Sequence, residues 1–297
     1  MRGARRGSDR VESEAVLTRR FGLWAWPLGL ILALMVSACE MLPSPTGPAP
    51  GAQPDDSHIP AFARWPYQRF SRAAAVQIAL REWRAFGQPV VLPHSELPFD
   101  NERAEGLWQR VGEYWWLGLP IGWSEQGFTG KHDQNGRVFS AQEDGNFAWS
   151  AAFIDYVMRM AGAGRRFPYS PTHADYINAA RQNAVGSPVL AITAERPESY
   201  APQRGDLICM SRTRRPIRFD DLPAGRFPGH CDIVVEPRPG LLDVPAVIDV
   251  IGGNVDNSVS MKHIPVTPDG RLAGPDGVVV DPDYPWFVVL RVAYDIN

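Results

Sequence analysis

Four short segments in the second half of the chain carry the side chains that could do chemistry. In chain order they are residues 146–154, which include Ser150, and then residues 205–209, 229–235 and 251–254. The third segment reads Gly-His-Cys-Asp, and strand alternation would place His230 and Asp232 on one face of a strand, with Cys231 on the other. Taken alone, a histidine that opens a strand is more often a structural residue than a base.

The order of these segments resembles the papain-like cell-wall hydrolases of the CHAP and NlpC type. In those enzymes a nucleophile opens a helix, a Gly-Asp-Leu strand follows, a Gly-His strand brings the base, and a polar residue orients that base. The resemblance covers roughly residues 140–265. More narrowly, the chain is similar to a bacterial domain-of-unknown-function family, number twenty-two seventy-two, which shares Trp-Ser-Ala-Ala-Phe, His-Cys-Asp-Ile-Val and Ile-Gly-Gly-Asn-Val with it.

The resemblance implies a catalytic site with Ser150 as nucleophile, His230 as base and Asn254 as the residue that orients the imidazole. Asp249 and Asp232 are further candidates for the orienting role. The nucleophile position holds serine where these hydrolases have cysteine, which a helix amino terminus and an imidazolium convert to thiolate. A serine instead needs a neutral histidine that takes its proton during attack. Backbone N–H groups at the helix start could serve as an oxyanion hole.

Two functions follow from this resemblance, and the residues leave both open. In the first, Ser150, His230 and Asn254 cleave an amide bond in peptidoglycan peptides, and this is the expectation taken forward. In the second, the serine marks a catalytically inactive fold that binds a cell-wall peptide as a scaffold. Ester hydrolysis or acyl transfer on a lipid or glycan also suits a serine nucleophile, but no other feature of the sequence supports it.

Metal binding is a competing interpretation of the same region. His173, His230, Cys209 and Cys231 could supply zinc ligands, but none of them has the pair spacing of a metal site. We therefore expect neither a metal nor another cofactor. Several aromatic side chains could stack on sugar rings but are better explained as core, because tryptophan buries a large apolar area. They are Trp115, Trp116, Trp123, Trp149, Tyr169 and Tyr176.

Cys209 and Cys231 are the two cysteines that remain beyond Cys39. Each lies in a short apolar run, and the two runs could be neighbouring strands. In an oxidising compartment a pair of cysteines can form a disulfide. Two buried, small hydrophobic side chains are an equally good interpretation.

The elements that must position these residues change character along the chain. Helices are predicted over residues 72–86, with Ser71 as N-cap and Gly87 at the end, and over 102–117, 147–160 and 176–183. Residues 118–146 predict a long loop. Apolar or alternating runs separated by turn signals predict strands over 207–210, 233–235, 246–251, 258–263 and 287–293. Helices followed by an antiparallel sheet predict an α+β domain, which the resemblance makes papain-like.

The first 38 residues have the character of an export signal. Six arginines and three acids lie within residues 1–20, and residues 21–38 carry no charge. Val-Ser-Ala-Cys at residues 36–39 resembles the lipobox of bacterial lipoproteins, which predicts cleavage before Cys39 and lipid attachment to its sulfur. An uncleaved signal anchor is the alternative, because 18 apolar residues just span a bilayer, but Pro27 lies inside this run.

The predicted organisation is a signal peptide over 1–38, a proline-rich tether over 39–62 and a domain over 63–297. The residue after Cys39 is not aspartate. The absence of aspartate at this position resembles the pattern of lipoproteins that are anchored in the outer membrane and face the periplasm. We therefore expect the membrane as a partner through the lipid anchor, and peptidoglycan or a cell-wall peptide as the ligand. Removing the leader takes the formal net charge from −3 to −6. We expect no basic run in the mature part, so nucleic acid is not an expected partner.

Overall fold

The structure is a computed structural model that describes residues 55–60, 69–91, 99, 101–186, 189–242 and 244–293. The predicted signal peptide, Cys39 and most of the tether lie outside these residues. Within the described residues, none of the helices combines the length and the apolar character needed to cross a bilayer.

Four α-helices form the first part of the described chain. They are α1 (Arg72–Ala85), α2 (Leu107–Gly118), α3 (Ser150–Met160) and α4 (His173–Val185). Ser71 caps α1, because its hydroxyl oxygen accepts a hydrogen bond from the Ala74 N–H at 3.0 Å. Gly87 follows the helix with a φ of 87°, a left-handed conformation that glycine adopts without strain. Both ends of α1 thus confirm the sequence prediction.

Three helices begin at other residues than predicted. In α2 the start moves from residue 102 to Leu107, because Gly106 immediately before it has a φ of 86°. A 3₁₀ turn, Ala141–Asn146, delays the start of α3 from residue 147, so that Ser150 becomes its first residue. Conversely, α4 begins three residues earlier than predicted and includes His173. The last two shifts matter because they set both Ser150 and His173 in a first helical turn.

Six antiparallel strands follow the helices. They are β1 (Ile192–Glu195), β2 (Leu207–Ser211), β3 (Gly229–Arg238), β4 (Val247–Gly252), β5 (Ser260–Pro265) and β6 (Trp286–Val292). Their order across the sheet is β1-β6-β2-β3-β4-β5. The strand β1 was not predicted; it has four residues and lies at the edge of the described sheet, where it pairs with β6. Four helices with a six-stranded antiparallel sheet confirm the α+β class.

Both faces of the sheet are covered by apolar side chains. The larger cluster lies between the helices and one face, where Phe153 and Ile154 of α3 are fully buried. Burying side chains of this size contributes about 1.5–3 kcal/mol each. Most of the aromatic residues considered for sugar stacking belong to this core, including Trp115, Trp149 and Tyr176, whereas Trp116 is exposed. A smaller cluster around Trp286 covers the opposite face.

The Gly-Asp-Leu segment at the start of β2 has a structural role. Asp206 is buried, and its carboxylate accepts hydrogen bonds from the Val292 and Gln203 N–H groups and from the Tyr200 hydroxyl, each at 2.9 Å. It therefore fastens β2 to β6. Gly205 has a φ of 88°, and a β-carbon there would lie 2.7 Å from the Arg72 side chain, so this position requires glycine.

Cys209 and Cys231 face each other across β2 and β3 and form a disulfide. The two residues are 22 apart in sequence, and closing a loop of that length stabilises the fold by about 3 kcal/mol. Because both sulfur atoms are in the disulfide, neither cysteine can supply the thiolate ligand that the zinc interpretation requires. No group of three or more potential metal ligands is found among the residues that the structure describes.

Candidate functional site

Ser150 is the first residue of α3, and it pairs with a histidine from the next helix. Its Oγ lies 2.7 Å from Nε2 of His173, the first residue of α4. The other ring nitrogen of His173 is hydrogen-bonded to the hydroxyl of Tyr176, one helical turn further on. The two hydrogen bonds thus link a nucleophile, a base and an orienting group in one series: Ser150, His173 and Tyr176.

The protonation state of His173 suits a general base. Burial lowers the pKa of its imidazole well below the usual value, so the ring is neutral at physiological pH. In the neutral tautomer that a base requires, Ser150 donates to Nε2 while Nδ1–H donates to the Tyr176 oxygen. Burial also raises the pKa of Tyr176 well above its usual value, which keeps the phenol protonated.

His230, the base that the resemblance implied, does not make that contact. Its Nε2 lies 2.7 Å from Oδ1 of Asp232, and its ring centroid lies 5.4 Å from that of His173. The ring is fully buried, and its Nδ1 has no hydrogen-bond partner among the described residues. Burial lowers the pKa of His230 to about 4, although the neighbouring carboxylate favours the charged form. The structure thus brings His230 to the site but gives the hydrogen bond with Ser150 to His173.

Asp232 is held by two partners and occupies the orienting position next to His230. Its second oxygen lies 2.6 Å from Nζ of Lys262, which comes from β5 and is also buried. Burial alone would raise the pKa of Asp232, but the charge on Lys262 and the hydrogen bonds from both partners lower it well below its usual range. At neutral pH the group therefore consists of an ion pair beside a neutral imidazole.

The other two orienting candidates lie elsewhere. Asn254, with a φ of 52°, follows β4, and its side chain makes no hydrogen bond to the described part of the chain. Asp249 lies further along β4, where it contacts Arg238 at 2.5 Å and His263 at 2.7 Å. Of the three residues proposed as orienters, only Asp232 contacts a histidine of the site. Because it lies two residues from His230 on one strand, the alternation of β3 by itself brings the two side chains together.

The two glycines before Asn254 allow the end of β4 to approach the site closely. A β-carbon at Gly252 would lie 1.9 Å from Oδ1 of Asp232 and 3.0 Å from Nε2 of His230. One at Gly253 would lie 2.4 Å from the Cβ of Phe153 in α3. Neither position has room for a side chain. The Gly-Gly sequence therefore packs β4 against the helix that carries Ser150.

The whole arrangement is shielded from water. Ser150 and His173 are each 4% exposed, Lys262 is 3% exposed, and His230 and Asp232 are fully buried. No side chain of the described residues caps the amino terminus of α3, so its first N–H groups are available to an oxygen that gains negative charge. A substrate must reach the serine hydroxyl through the small part of Ser150 that is exposed.

Sequence reasoning missed the two residues that complete the site, His173 as the partner of Ser150 and Lys262 as the partner of Asp232. A signal for His173 was present. His173, Tyr176, Ile177 and Ala180 follow helical spacing, and all four are buried, so this stripe extends the fourth helix back to the histidine. Lys262 had no comparable signal, because a lysine in an alternating strand ordinarily faces solvent.

A comparison with known protein families gives one match. A family model described as an uncharacterised protein conserved in bacteria, DUF2272, matches residues 102–292. The chain belongs to this family. The matched range includes Ser150, both histidines, Asp232 and Lys262. Neither a curated protein nor a solved structure matches the chain significantly.

Proposed function

We propose that this member of DUF2272 is a lipid-anchored envelope protein whose papain-like domain hydrolyses an amide bond in peptidoglycan peptides. The observation that carries the proposal is the hydrogen bond between Ser150 Oγ and His173 Nε2, 2.7 Å long, at the amino terminus of a helix. An unactivated serine hydroxyl is a weak nucleophile, and a neutral histidine within hydrogen-bond reach is what activates it.

The reaction would proceed through an acyl-enzyme. His173 takes the proton while Ser150 Oγ attacks the amide carbonyl, and the free N–H groups in the first turn of α3 stabilise the oxyanion. The protonated His173 then gives its proton to the leaving amine as the C–N bond breaks. A water attacks the ester with His173 again as base, and His173 returns the proton to Ser150 Oγ as the ester bond breaks and the acid leaves. The charge of Asp232 favours the transient imidazolium, which burial alone would disfavour. Tyr176 keeps the ring in position throughout.

The envelope location rests on the sequence and gains support from the disulfide. The leader, the lipobox at Cys39 and the short tether would keep the domain near a membrane, within reach of the cell wall. A disulfide such as Cys209–Cys231 persists in the periplasm and outside the cell but is rare in the cytosol. Peptidoglycan is the abundant peptide-containing polymer in that compartment, which is why it is the proposed substrate.

The test is digestion of purified sacculi by the full chain in detergent, with released muropeptides measured by chromatography. We expect release by the wild type and none by Ser150→Ala or His173→Gln. Ser124→Ala, an exposed serine on a 3₁₀ turn, is the matched control and should behave as the wild type. His230→Gln tests the base that the resemblance implied. Absence of release across a broad pH range would rule the hydrolase out.

Burial of the site favours one other function. With Ser150 and His173 each 4% exposed, the domain could bind a cell-wall peptide without cutting it. In that case sacculi would retain the protein, Ser150→Ala would bind them equally well, and no muropeptide would appear. Weak cleavage by Ser150→Cys would then indicate that the arrangement supports the chemistry of a thiolate but not that of a serine.

A further inference from the structure

The loop after β2 carries a cluster of basic side chains that the sequence analysis did not single out. Four arginines fall within seven residues, and all four are exposed: Arg212, Arg214, Arg215 and Arg218. None of them forms an ion pair with the described part of the chain, although the domain has many carboxylates elsewhere. Arg212 directly follows the last residue of β2, and the other three arginines lie further along the loop.

The position of Arg212 is set by the pairing of β2 with β3. Ser211, the last residue of β2, pairs with Gly229, and the Arg212 N–H donates to the carbonyl of Pro228 at 2.8 Å. The ladder therefore continues one residue beyond the strand. Met210 pairs with His230, and strand alternation puts the side chain of Arg212 on the same face as Met210. The side chain of Arg212 therefore begins on the face of the sheet that carries His230.

The electrostatics agree with this placement. Arg212 is close enough to the site to contribute to the lowered pKa values of both His173 and His230. Burial lowers the pKa of Arg212 itself, although the charges of Asp232 and Asp256 oppose this effect. The side chain of Arg212 is nevertheless exposed, so a ligand can reach it.

No carboxylate of the described chain neutralises Arg212. Asp232, the buried acid of the site whose charge acts on Arg212, has both oxygens engaged, one by His230 and one by Lys262. Asp256 is exposed and forms no ion pair within the described residues. A guanidinium beside a buried site and without an ion-pair partner is a favourable site for an anion, and its planar fork matches the two oxygens of a carboxylate.

We propose that Arg212 binds a carboxylate of the substrate, so that the site selects peptides with a free carboxylate close to the bond that is cut. This inference rests on the proposed function, since it names the class of peptide that the Ser150 site takes. A bidentate contact fixes both the position and the orientation of the bound group. That contact would direct the neighbouring amide towards Ser150, and positioning of this kind is a major source of catalysis.

The test measures peptide binding by the full chain with Ser150→Ala, which removes cleavage. The probes are a soluble cell-wall stem peptide with free carboxylates and the same peptide with every carboxylate converted to carboxamide. We expect the free-carboxylate peptide to bind at least about tenfold more tightly. Arg212→Gln should remove that preference, weakening the free-carboxylate peptide alone, and Arg212→Lys should restore only part of it because lysine lacks the fork.

Arg215→Gln on the same loop is the matched control and should change either affinity by no more than about twofold. Equal weakening by Arg215→Gln would mean that diffuse positive charge attracts the peptide, and it would overturn the proposal. Equal affinity of the two peptides, or no binding of either, would also overturn it. Since Arg212 is exposed, an unchanged melting temperature should confirm that Arg212→Gln is folded.

The failure of this proposal differs from the failure of the proposed function. If the wild type cleaves sacculi but Arg212→Gln leaves the KM of the free-carboxylate peptide unchanged, the hydrolase stands and the carboxylate contact is wrong. If the wild type cleaves nothing but the binding preference depends on Arg212, the carboxylate contact stands and the protein is a binding module.

Discussion

The two buried histidines of this domain lie side by side but differ in their partners. His173 is hydrogen-bonded to two hydroxyl groups, those of Ser150 and Tyr176. His230, whose ring centroid lies 5.4 Å away, is hydrogen-bonded to the carboxylate of Asp232. Both rings have lowered pKa values, and burial is the main cause in each case. The difference is therefore in the charge of the partners and not in the burial.

This difference separates a reactive pair from a supporting group. A hydroxyl partner leaves the imidazole free to exchange a proton with it, as a base and a nucleophile must. A carboxylate partner that is itself paired with a buried lysine fixes the ring and the charges around it. Removing one member of such a group leaves a buried charge without its counter-ion, which carries a large desolvation cost. We thus expect the stability of the fold to depend on the His230 group more than on the His173 group.

The largest effect is expected from Asp232→Asn. The substitution leaves the buried Lys262 ammonium without its counter-ion, which should lower the free energy of unfolding by about 3–5 kcal/mol. Urea unfolding measures the change. Asp249→Asn, which breaks a more exposed pair with Arg238, is the control and should cost no more than about 1 kcal/mol. Adding Lys262→Met to Asp232→Asn should recover part of the loss, and no recovery would speak against the ion pair as its cause.

The second effect is a loss of stability in acid. The pKa of His230 is about 4 in the folded protein and that of His173 is also lowered, whereas an unfolded histidine titrates near about 6.5. The unfolded chain therefore binds more protons, so stability is full above about pH 6.5 and falls as the pH drops towards 4. Each histidine contributes up to about 1.4 kcal/mol per pH unit.

Urea unfolding between about pH 7.5 and about pH 4.5 tests this dependence. His173→Gln and His230→Gln should each reduce the slope, because each removes a buried imidazole whose pKa is lowered in the folded protein. If only one of the two substitutions reduces the slope, burial does not lower the pKa of both histidines, and the comparison of two equally buried rings is wrong.

A third, smaller effect is expected from Tyr176→Phe. Removing the hydroxyl leaves the Nδ1–H of His173 buried without an acceptor, which should cost about 1–3 kcal/mol. Tyr169→Phe is a close control, because the hydroxyl of Tyr169 is buried but has no hydrogen-bond partner among the described residues. That control should change the free energy of unfolding by less than about 0.5 kcal/mol. Equal losses would mean that the two phenols contribute through packing alone.

The smallest effect is expected from Ser150→Ala. The substitution removes a single hydrogen bond to a neutral acceptor, which should cost about 0.5–1.5 kcal/mol in calorimetry or urea unfolding. Such a small change together with complete loss of muropeptide release would mark Ser150 as a residue kept for chemistry. A loss as large as that of Asp232→Asn would instead make the serine part of the supporting structure.

Much of the secondary structure could be predicted because its signals are local. Ser71 and Gly87 mark the two ends of α1, since a cap and a left-handed glycine act on the adjacent backbone. The alternation in β3 correctly put His230 and Asp232 on one face. The short edge strand β1 was missed, because four residues carry too little periodicity to distinguish a strand from a loop.

The site was predicted only in part, since its partners come from distant elements. His230 and Asp232 are on one strand, and their contact follows from the sequence. Ser150 and His173 are 23 residues apart on different helices, and Lys262 is 30 residues from Asp232 on another strand. Contacts of this kind depend on how whole elements pack, which spacing along the chain does not encode.

The amino-acid sequence by itself determined the α+β class, the place of Ser150 near a helix start and the shared face of His230 and Asp232. Helical and strand periods are local properties of the chain, so these features follow from the order of residues. Only the tertiary structure decided that His173 bonds to Ser150, that Lys262 neutralises Asp232 and that the whole group is buried. Close packing decides such contacts, since the side chains around Gly252 and Gly253 leave no space for even one added carbon.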